Sequence, residues 1–218
     1  NSIKIIMIAS MLFGGVFTFA WLLKLFDKRS ALAGAIFYTY APYHLFDLYK
    51  RGSVGEVLSL AIVTFTLWTI EEKNKFLISI GIFLLAISHN SLFFLFLPPL
   101  FIYAFIRKKL STPDLIISFG LGILMSSFFT IPAILELSYT IFSKIQISNI
   151  SGYFVSLELI GISSIAVFAG SLLMLSFKKF KESKEVYFFI IVSFASIVLS
   201  ESLSEFIWNF LPASLIQF

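Results

Sequence analysis

Residues 41–56 read APYHLFDLYKRGSVGE and interrupt a chain that is otherwise strongly apolar. On a helix, His44, Asp47 and Arg51 fall at positions i, i+3 and i+7, so they share one face. The residues between them, apart from Lys50 at the border of that face, form an apolar side. The sequence therefore predicts an amphipathic segment suited to a membrane surface.

The stretch also carries boundary signals. Pro42 is expected to break the apolar helix before it, and Gly52 to end the stretch itself. Ser53 and Glu56 then form an S-x-x-E pattern, which predicts a capping box at the start of the next apolar helix. In that interpretation the Glu56 carboxylate is structural, and the alternative is a role in substrate binding.

The composition indicates an integral membrane protein. Of 218 residues, 59% are hydrophobic and 13% are charged, and the mean hydropathy of +0.98 is far above that of a soluble domain. We predict an all-α fold, a polytopic transmembrane bundle that forms a single domain over residues 1–218. Eight apolar runs are the candidate segments: 3–26, 31–40, 54–70, 76–88, 91–106, 115–137, 159–177 and 186–200. Crossing takes about 20 residues, so the runs 31–40 and 76–88 are short, as in bundles that surround a buried polar site.

Residue counts exclude several kinds of site. The chain has no cysteine, which excludes disulfides and thiolate metal sites, and its two histidines cannot supply a His-rich zinc site. The net charge of +4 follows membrane topology and does not indicate a nucleic-acid partner. A divalent metal at the carboxylates stays open as a cofactor. The sequence starts at Asn1 and stops after Leu-Ile-Gln-Phe, which we interpret as a fragment of a longer protein.

Lysine and arginine predict the orientation in the membrane. If every apolar run crosses, one side holds Lys24, Lys28, Arg29, Lys73, Lys75, Arg107, Lys108, Lys109, Lys178, Lys179, Lys181 and Lys184, and the other holds Lys4, Lys50, Arg51 and Lys144. The positive-inside rule makes the rich side cytoplasmic. The polar candidates His44, Asp47, Arg51, Glu56, His89 and Glu136 then lie on the extracytoplasmic side of a multi-pass protein in the plasma membrane of a prokaryote.

Each candidate site residue has a structural alternative. Asp47 and Arg51 are either an i,i+4 surface ion pair or a carboxylate for a sugar hydroxyl or a metal beside a guanidinium for phosphate. Lys50 is either a second phosphate contact or an interface anchor. His89 is an interfacial residue or, because imidazole is costly to bury in a membrane, a functional one.

Two further polar residues follow apolar runs. Asn90 is either the N-cap of the next helix or a substrate contact. Glu136 is either a solvated helix end or part of the site.

Four motifs resemble a family of bacterial and archaeal membrane proteins described as 6-pyruvoyl-tetrahydropterin synthase-related. They are YAPYHLFDLYKRG at 40–52 followed by Glu56, SHN at 88–90, FFTIPA at 128–133 with Glu136, and the closing LP at 211–212 and QF at 217–218. The name implies pterin chemistry, but the soluble enzyme needs a three-histidine zinc site, so the residues support neither a pterin nor a zinc site. The family is similar to multi-pass GT-C glycosyltransferases, which use polyprenyl-phosphate sugars at the outer membrane face. Those enzymes usually carry an acidic residue in the first outer loop, after the first helix, and that loop is either missing here or precedes Asn1.

This resemblance implies a GT-C-like bundle and a glycosyltransferase with membrane lipids and a polyprenyl-phosphate sugar as partners. Asp47 and His89 would orient or deprotonate the acceptor. The substrate-binding residues would be His44, Lys50, Arg51, Glu56, Asn90 and Glu136, with Lys50 and Arg51 on phosphate. Two alternatives remain: a transporter or lipid flippase, since broken helices around a polar recess also suit transport, and a non-catalytic membrane assembly protein.

Overall fold

The computed structural model describes residues 2–136, 139, 162–176 and 183–210. The described chain falls into two compact units, residues 1–136 and 137–218. The first contains α1 (Ser2–Leu22), α2 (Lys28–Thr39), α3 (Pro42–Phe46), a π-helical turn (Asp47–Arg51), α4 (Val54–Glu71), α5 (Lys75–Ser88), α6 (Asn90–Arg107) and α7 (Thr112–Leu135). The second contains α8 (Ile162–Met174), α9 (Lys184–Ser200), a 3-10 turn (Ser202–Ser204) and α10 (Glu205–Phe210). All regular structure in these ranges is helical, which confirms the predicted all-α class.

Four helices are long and apolar enough to cross a membrane by length and composition: α1, α4, α6 and α7. Helix α5 is apolar but has 14 residues, about 21 Å of rise at 1.5 Å per residue, and α2 has 12, about 18 Å. Both fall short of the roughly 30 Å hydrocarbon core, as their sequences predicted. The chain is thus compatible with a membrane protein, and the count of about eight crossings stays a prediction.

Helix α4 lies at the centre of the first unit because three neighbours pack along it. A side chain at Gly14 of α1 would touch Ala61 of α4, so these helices approach closely. On another side, α4 and α5 form an antiparallel hairpin in which the hydroxyls of Ser59 and Ser88 lie 2.7 Å apart. The burial of α4 follows: 67% of its membrane-length window is buried, against 22–28% for α1, α6 and α7.

Ion pairs join the helix ends at one end of this unit. Lys24 and Glu72 pair at 2.7 Å, and Lys75 and Asp114 pair at 2.6 Å. The Glu71 carboxylate, whose side chain is fully buried, binds Arg107 through two hydrogen bonds. We call this group of residues, together with Lys109, which lies 3.5 Å from Glu71, the basic end.

The basic end contains Lys24, Lys75, Arg107 and Lys109. If every apolar run crosses the membrane, the sequence predicts these four residues on the same side. Its cytoplasmic orientation stays a prediction. The basic residues Lys144, Lys178, Lys179 and Lys181 and the motif at 211–218 lie outside the described residues.

Candidate functional site

The site begins at the break between α2 and α4. Helix α2 ends at Thr39, and Pro42 occupies the first turn of α3, where its missing N–H costs no hydrogen bond. Gly52 ends the π-helical turn with a left-handed backbone, φ 64°, and its N–H donates to the carbonyl of Asp47 at 2.7 Å. Glycine adopts this conformation at little cost. The boundary roles predicted for Pro42 and Gly52 are confirmed.

The polar face of this segment points into the bundle. His44 and Asp47 are 7% and 0% exposed, whereas Tyr49 is 82% exposed. Two members of the predicted polar face, His44 and Asp47, are thus buried, whereas Arg51 on the same face is partly exposed. The inward face finds polar groups on α2 and α4, and the apolar face is left on the outside, as suits a lipid environment.

Glu56, in the first turn of α4, is the centre of the site. Its Oε2 accepts hydrogen bonds from the Tyr43 hydroxyl at 2.8 Å and from Arg51 Nη1 at 2.7 Å. Its Oε1 lies 2.6 Å from Arg51 Nη2, so the guanidinium binds both carboxylate oxygens. Arg51 Nη1 also donates to the Tyr43 hydroxyl at 3.0 Å. Such two-point, charge-assisted contacts are stronger than neutral hydrogen bonds.

These contacts correct the predicted capping box. Ser53 does precede α4, but its side chain makes no capping hydrogen bond. Glu56 instead accepts from Arg51 and Tyr43. A guanidinium offers charge as well as two donors, which explains why it displaces a backbone N–H as the partner of Glu56.

His89 reaches the same carboxylate from the junction of α5 and α6. Its Nε2 lies 3.7 Å from Glu56 Oε1, and its side chain is 24% exposed. Burial lowers the pKa of His89, with Glu56 opposing and Arg51 adding to the effect, so the neutral imidazole prevails at pH 7. Gly55 allows this approach, because a side chain there would meet the Ser88 carbonyl at 2.8 Å.

The predicted N-cap of α6 is also corrected. His89 occupies the capping position, and its Nδ1 accepts from the Leu92 N–H at 3.4 Å. Asn90 is the first residue of the helix. The reason is that the extended backbone expected of a cap falls at His89, with φ −162° and ψ 114°.

Asp47 lies beside Arg51 and Glu56 but forms no hydrogen bond with either residue. Its side chain is fully buried, and neither carboxylate oxygen has a hydrogen-bond partner among the described residues. Arg51 Nη1 stands 3.9 Å from Asp47 Oδ1, so the predicted i,i+4 pair exists as an ion pair without a hydrogen bond. Burial and the neighbouring Glu56 raise the pKa of Asp47 to about 6.

His44 is buried one turn before Asp47. Its ring packs edge-to-face against Tyr38 of α2, with centroids 4.5 Å apart. The Nδ1 atom has no hydrogen-bond partner among the described residues. Burial lowers the pKa of His44 to about 4, so this imidazole is neutral at pH 7.

The remaining candidates lie apart from Glu56. Lys50 is exposed, and its Nζ stands 5.7 Å from the centroid of the Phe46 ring. Glu136 is exposed at the end of α7, where its backbone N–H donates to Pro132. Of the predicted residues, the structure thus brings Asp47, Arg51, Glu56 and His89 together, and it leaves Lys50 and Glu136 outside.

Tyr43 is the site residue that the sequence reasoning missed. Burial and its hydrogen bond to Glu56 raise the pKa of Tyr43, so its hydroxyl keeps its proton and donates. No regular helical spacing predicts that residues 43, 51 and 56 meet, because the π-helical turn and the left-handed Gly52 interrupt the helix between them. The available signal was composition: a tyrosine next to His44 in the least apolar stretch of the chain. We call Tyr43, Arg51, Glu56 and His89 the glutamate cluster.

The buried carboxylates of Asp47 and Glu56 lie beside the Arg51 guanidinium, which is already paired with Glu56. Within the described ranges, no group of three or more His, Asp or Glu side chains is placed to hold a metal ion. Comparison with protein-family models, curated proteins and solved structures finds no match for this chain.

Proposed function

We propose that this chain belongs to a GT-C-like membrane glycosyltransferase that takes its sugar from a polyprenyl-phosphate donor. One observation carries the proposal: a fully buried Asp47 without a hydrogen-bond partner lies next to the glutamate cluster, where α4 begins. A buried carboxylate without a donor is costly. Such a group persists in membrane proteins mainly where it acts on a substrate.

The location of the cluster agrees with a reaction at the outer face. Helix α4 has 18 residues, so about 22 Å of helix separates Glu56 from Glu71 at the basic end. With the basic end in the cytoplasm, as the positive-inside rule requires, the cluster lies toward the extracytoplasmic side. Polyprenyl-phosphate sugars present their head groups at that level, which favours a lipid-linked donor.

Each residue then has a role. Asp47 accepts the proton of the acceptor hydroxyl, and the neutral His89 orients that hydroxyl. Lys50, exposed on the π-helical turn, meets the donor phosphate. Arg51 reaches the phosphate only by exchanging Glu56 for it, because both carboxylate oxygens of Glu56 now occupy the guanidinium. Tyr43 and Glu56 are positioning residues that hold Arg51 ready.

The test is sugar transfer in vesicles that contain the reconstituted protein and a radiolabelled polyprenyl-phosphate sugar. Asp47→Asn should lower transfer by about 10²–10⁴-fold, the usual contribution of a general base. Glu72→Gln, at an exposed carboxylate in the basic end, is the matched control and should transfer normally. Undiminished transfer by Asp47→Asn would remove Asp47 from the mechanism, and no transfer by the wild type from any such donor would remove the glycosyltransferase proposal.

A second candidate function is transport or lipid flipping. It is favoured by the break at α2–α3, where a short helix, a π-helical turn and buried carboxylates come together, as in transporters with interrupted helices. The discriminating measurement is uptake or lipid translocation in the same vesicles. Translocation without sugar transfer, lost in Asp47→Asn but kept in Glu72→Gln, would favour this candidate.

A further inference from the structure

We propose that Asp47 and Glu56 form a proton-binding site: they hold one proton between them, and its presence decides which carboxylate Arg51 binds. Neither candidate function assigns a bound proton to these two residues, and such a proton site is compatible with an enzyme as well as with a transporter. It starts from the two carboxyl groups that flank a single guanidinium nitrogen. Arg51 Nη1 lies 2.7 Å from Glu56 Oε2 and 3.9 Å from Asp47 Oδ1.

The charges do not balance if both carboxyl groups are ionised. Glu56 is buried and takes both ends of the Arg51 guanidinium, which leaves the buried charge of Asp47 with only a 3.9 Å contact to Arg51. The other groups that face this site are Tyr43, His44 and His89. Tyr43 keeps its proton, and the two histidines are neutral at pH 7 because burial lowers their pKa. Among the described residues, no second positive charge therefore lies against the two carboxyl groups.

A bound proton supplies the positive charge that the two carboxyl groups lack. Asp47 has no exposed surface, so a proton, which needs no volume, can bind there without any rearrangement of the surrounding side chains. Neither carboxylate oxygen of Asp47 has a hydrogen-bond partner among the described residues, and a protonated carboxyl group can itself donate a hydrogen bond. The direction of the Asp47 pKa, raised by burial and by Glu56 to about 6, agrees with this.

The proton has a structural consequence. With it bound, Asp47 is neutral and Arg51 stays on Glu56. When it leaves, two carboxylates compete for one guanidinium, and the movement of Arg51 toward Asp47 loosens its bonds to Glu56 and Tyr43. Release of a proton is thereby coupled to opening of the glutamate cluster, because the same Arg51 nitrogen serves both carboxyl groups.

The experiment is an infrared pH titration of the protein in lipid nanodiscs, following the carbonyl band of a protonated carboxyl group. The wild type should lose this band with a midpoint near pH 6. Asp47→Asn should lack the band, and the control Glu72→Gln should keep it. Glu56→Gln removes the competitor for Arg51, so Asp47 should then pair with Arg51 and lose its proton at least about one pH unit lower.

The outcomes decide the proposal. A wild type that has lost the band by the ordinary carboxyl pH range, about 4, would overturn it, and this result requires no variant to fold. A band that survives in Asp47→Asn would place the proton elsewhere. A midpoint unchanged in Glu56→Gln would show that burial alone retains the proton, and the shared site would be refuted.

Discussion

Asp47 makes the stability of this protein depend on pH. Its folded-state pKa is raised from 3.8 to about 6, so its contribution is most favourable below 3.8 and is lost as the pH rises through about 6. Asparagine imitates the neutral carboxyl group at every pH. Asp47→Asn should therefore be more stable than the wild type at pH 7, by about 1–3 kcal/mol, and nearly equal to it at pH 4. Chemical unfolding of both proteins at the two pH values in one detergent measures this, and a less stable variant at pH 7 would contradict it.

Tyr43 and Tyr49 provide a matched pair for the hydroxyl in the glutamate cluster. Tyr43→Phe removes one donor to Glu56 and one acceptor from Arg51, and such a loss costs about 0.5–1.5 kcal/mol. Tyr49, which is 82% exposed, should tolerate the same change without cost. Thermal unfolding of the two variants side by side gives the difference, and equal melting temperatures would show that the Tyr43 hydroxyl contributes nothing to the fold.

At the scale of the helices, α7 contains a pair of glycines with opposite surroundings. A side-chain carbon at Gly122 would lie 2.7 Å from the Ser79 carbonyl and 2.6 Å from Ile82 Cβ, while Gly120 has nothing within 4 Å. Gly122→Ala should push α7 away from α5 and cost about 1–3 kcal/mol. Gly120→Ala should be neutral or stabilising by up to about 1 kcal/mol, because alanine favours helix. Unfolding in detergent compares them, and equal stabilities would mean that α5 and α7 do not pack this closely.

The elements were more predictable than the contacts between them. Apolar runs indicated the helices, and Pro42 and Gly52 marked the break, because those signals are local to the chain. The role of Glu56 was not local: its partner Tyr43 lies 13 residues earlier, and His89 comes from the next hairpin. The capping-box pattern at Ser53 was misleading for the same reason. A pattern of neighbouring residues does not predict that the Arg51 guanidinium binds Glu56.

The same contrast holds for burial. The spacing of His44 and Asp47 defines a common face but does not say which way that face points. Only the packing of α3 against its neighbours turns it inward. Four of the candidate residues thus lie close together, while the sequence did not predict which of them pair.

At the scale of the whole first unit, the two ends of α4 should lie on opposite sides of the membrane. The chain has no cysteine, so a single introduced cysteine reports its own position. Lys50→Cys should react with a membrane-impermeant thiol reagent added outside intact cells, and Lys108→Cys should react only after the cells are opened. Both positions are exposed, which makes them a fair comparison. Labelling of position 108 from outside would reverse the orientation, and labelling of both from one side would contradict a crossing α4.

The burial of α4 has a consequence for how the protein enters the bilayer. This helix carries Glu56 and Glu71 near its two ends, and the partners of Glu71 include Arg107, which is synthesised 36 residues later. As α4 leaves the ribosome, that carboxylate has no arginine to neutralise it, and lipid is a poor solvent for it. If α4 crosses the membrane, we expect it to stay beside the insertion machinery until α6 supplies Arg107, so that α4, α5 and α6 insert together.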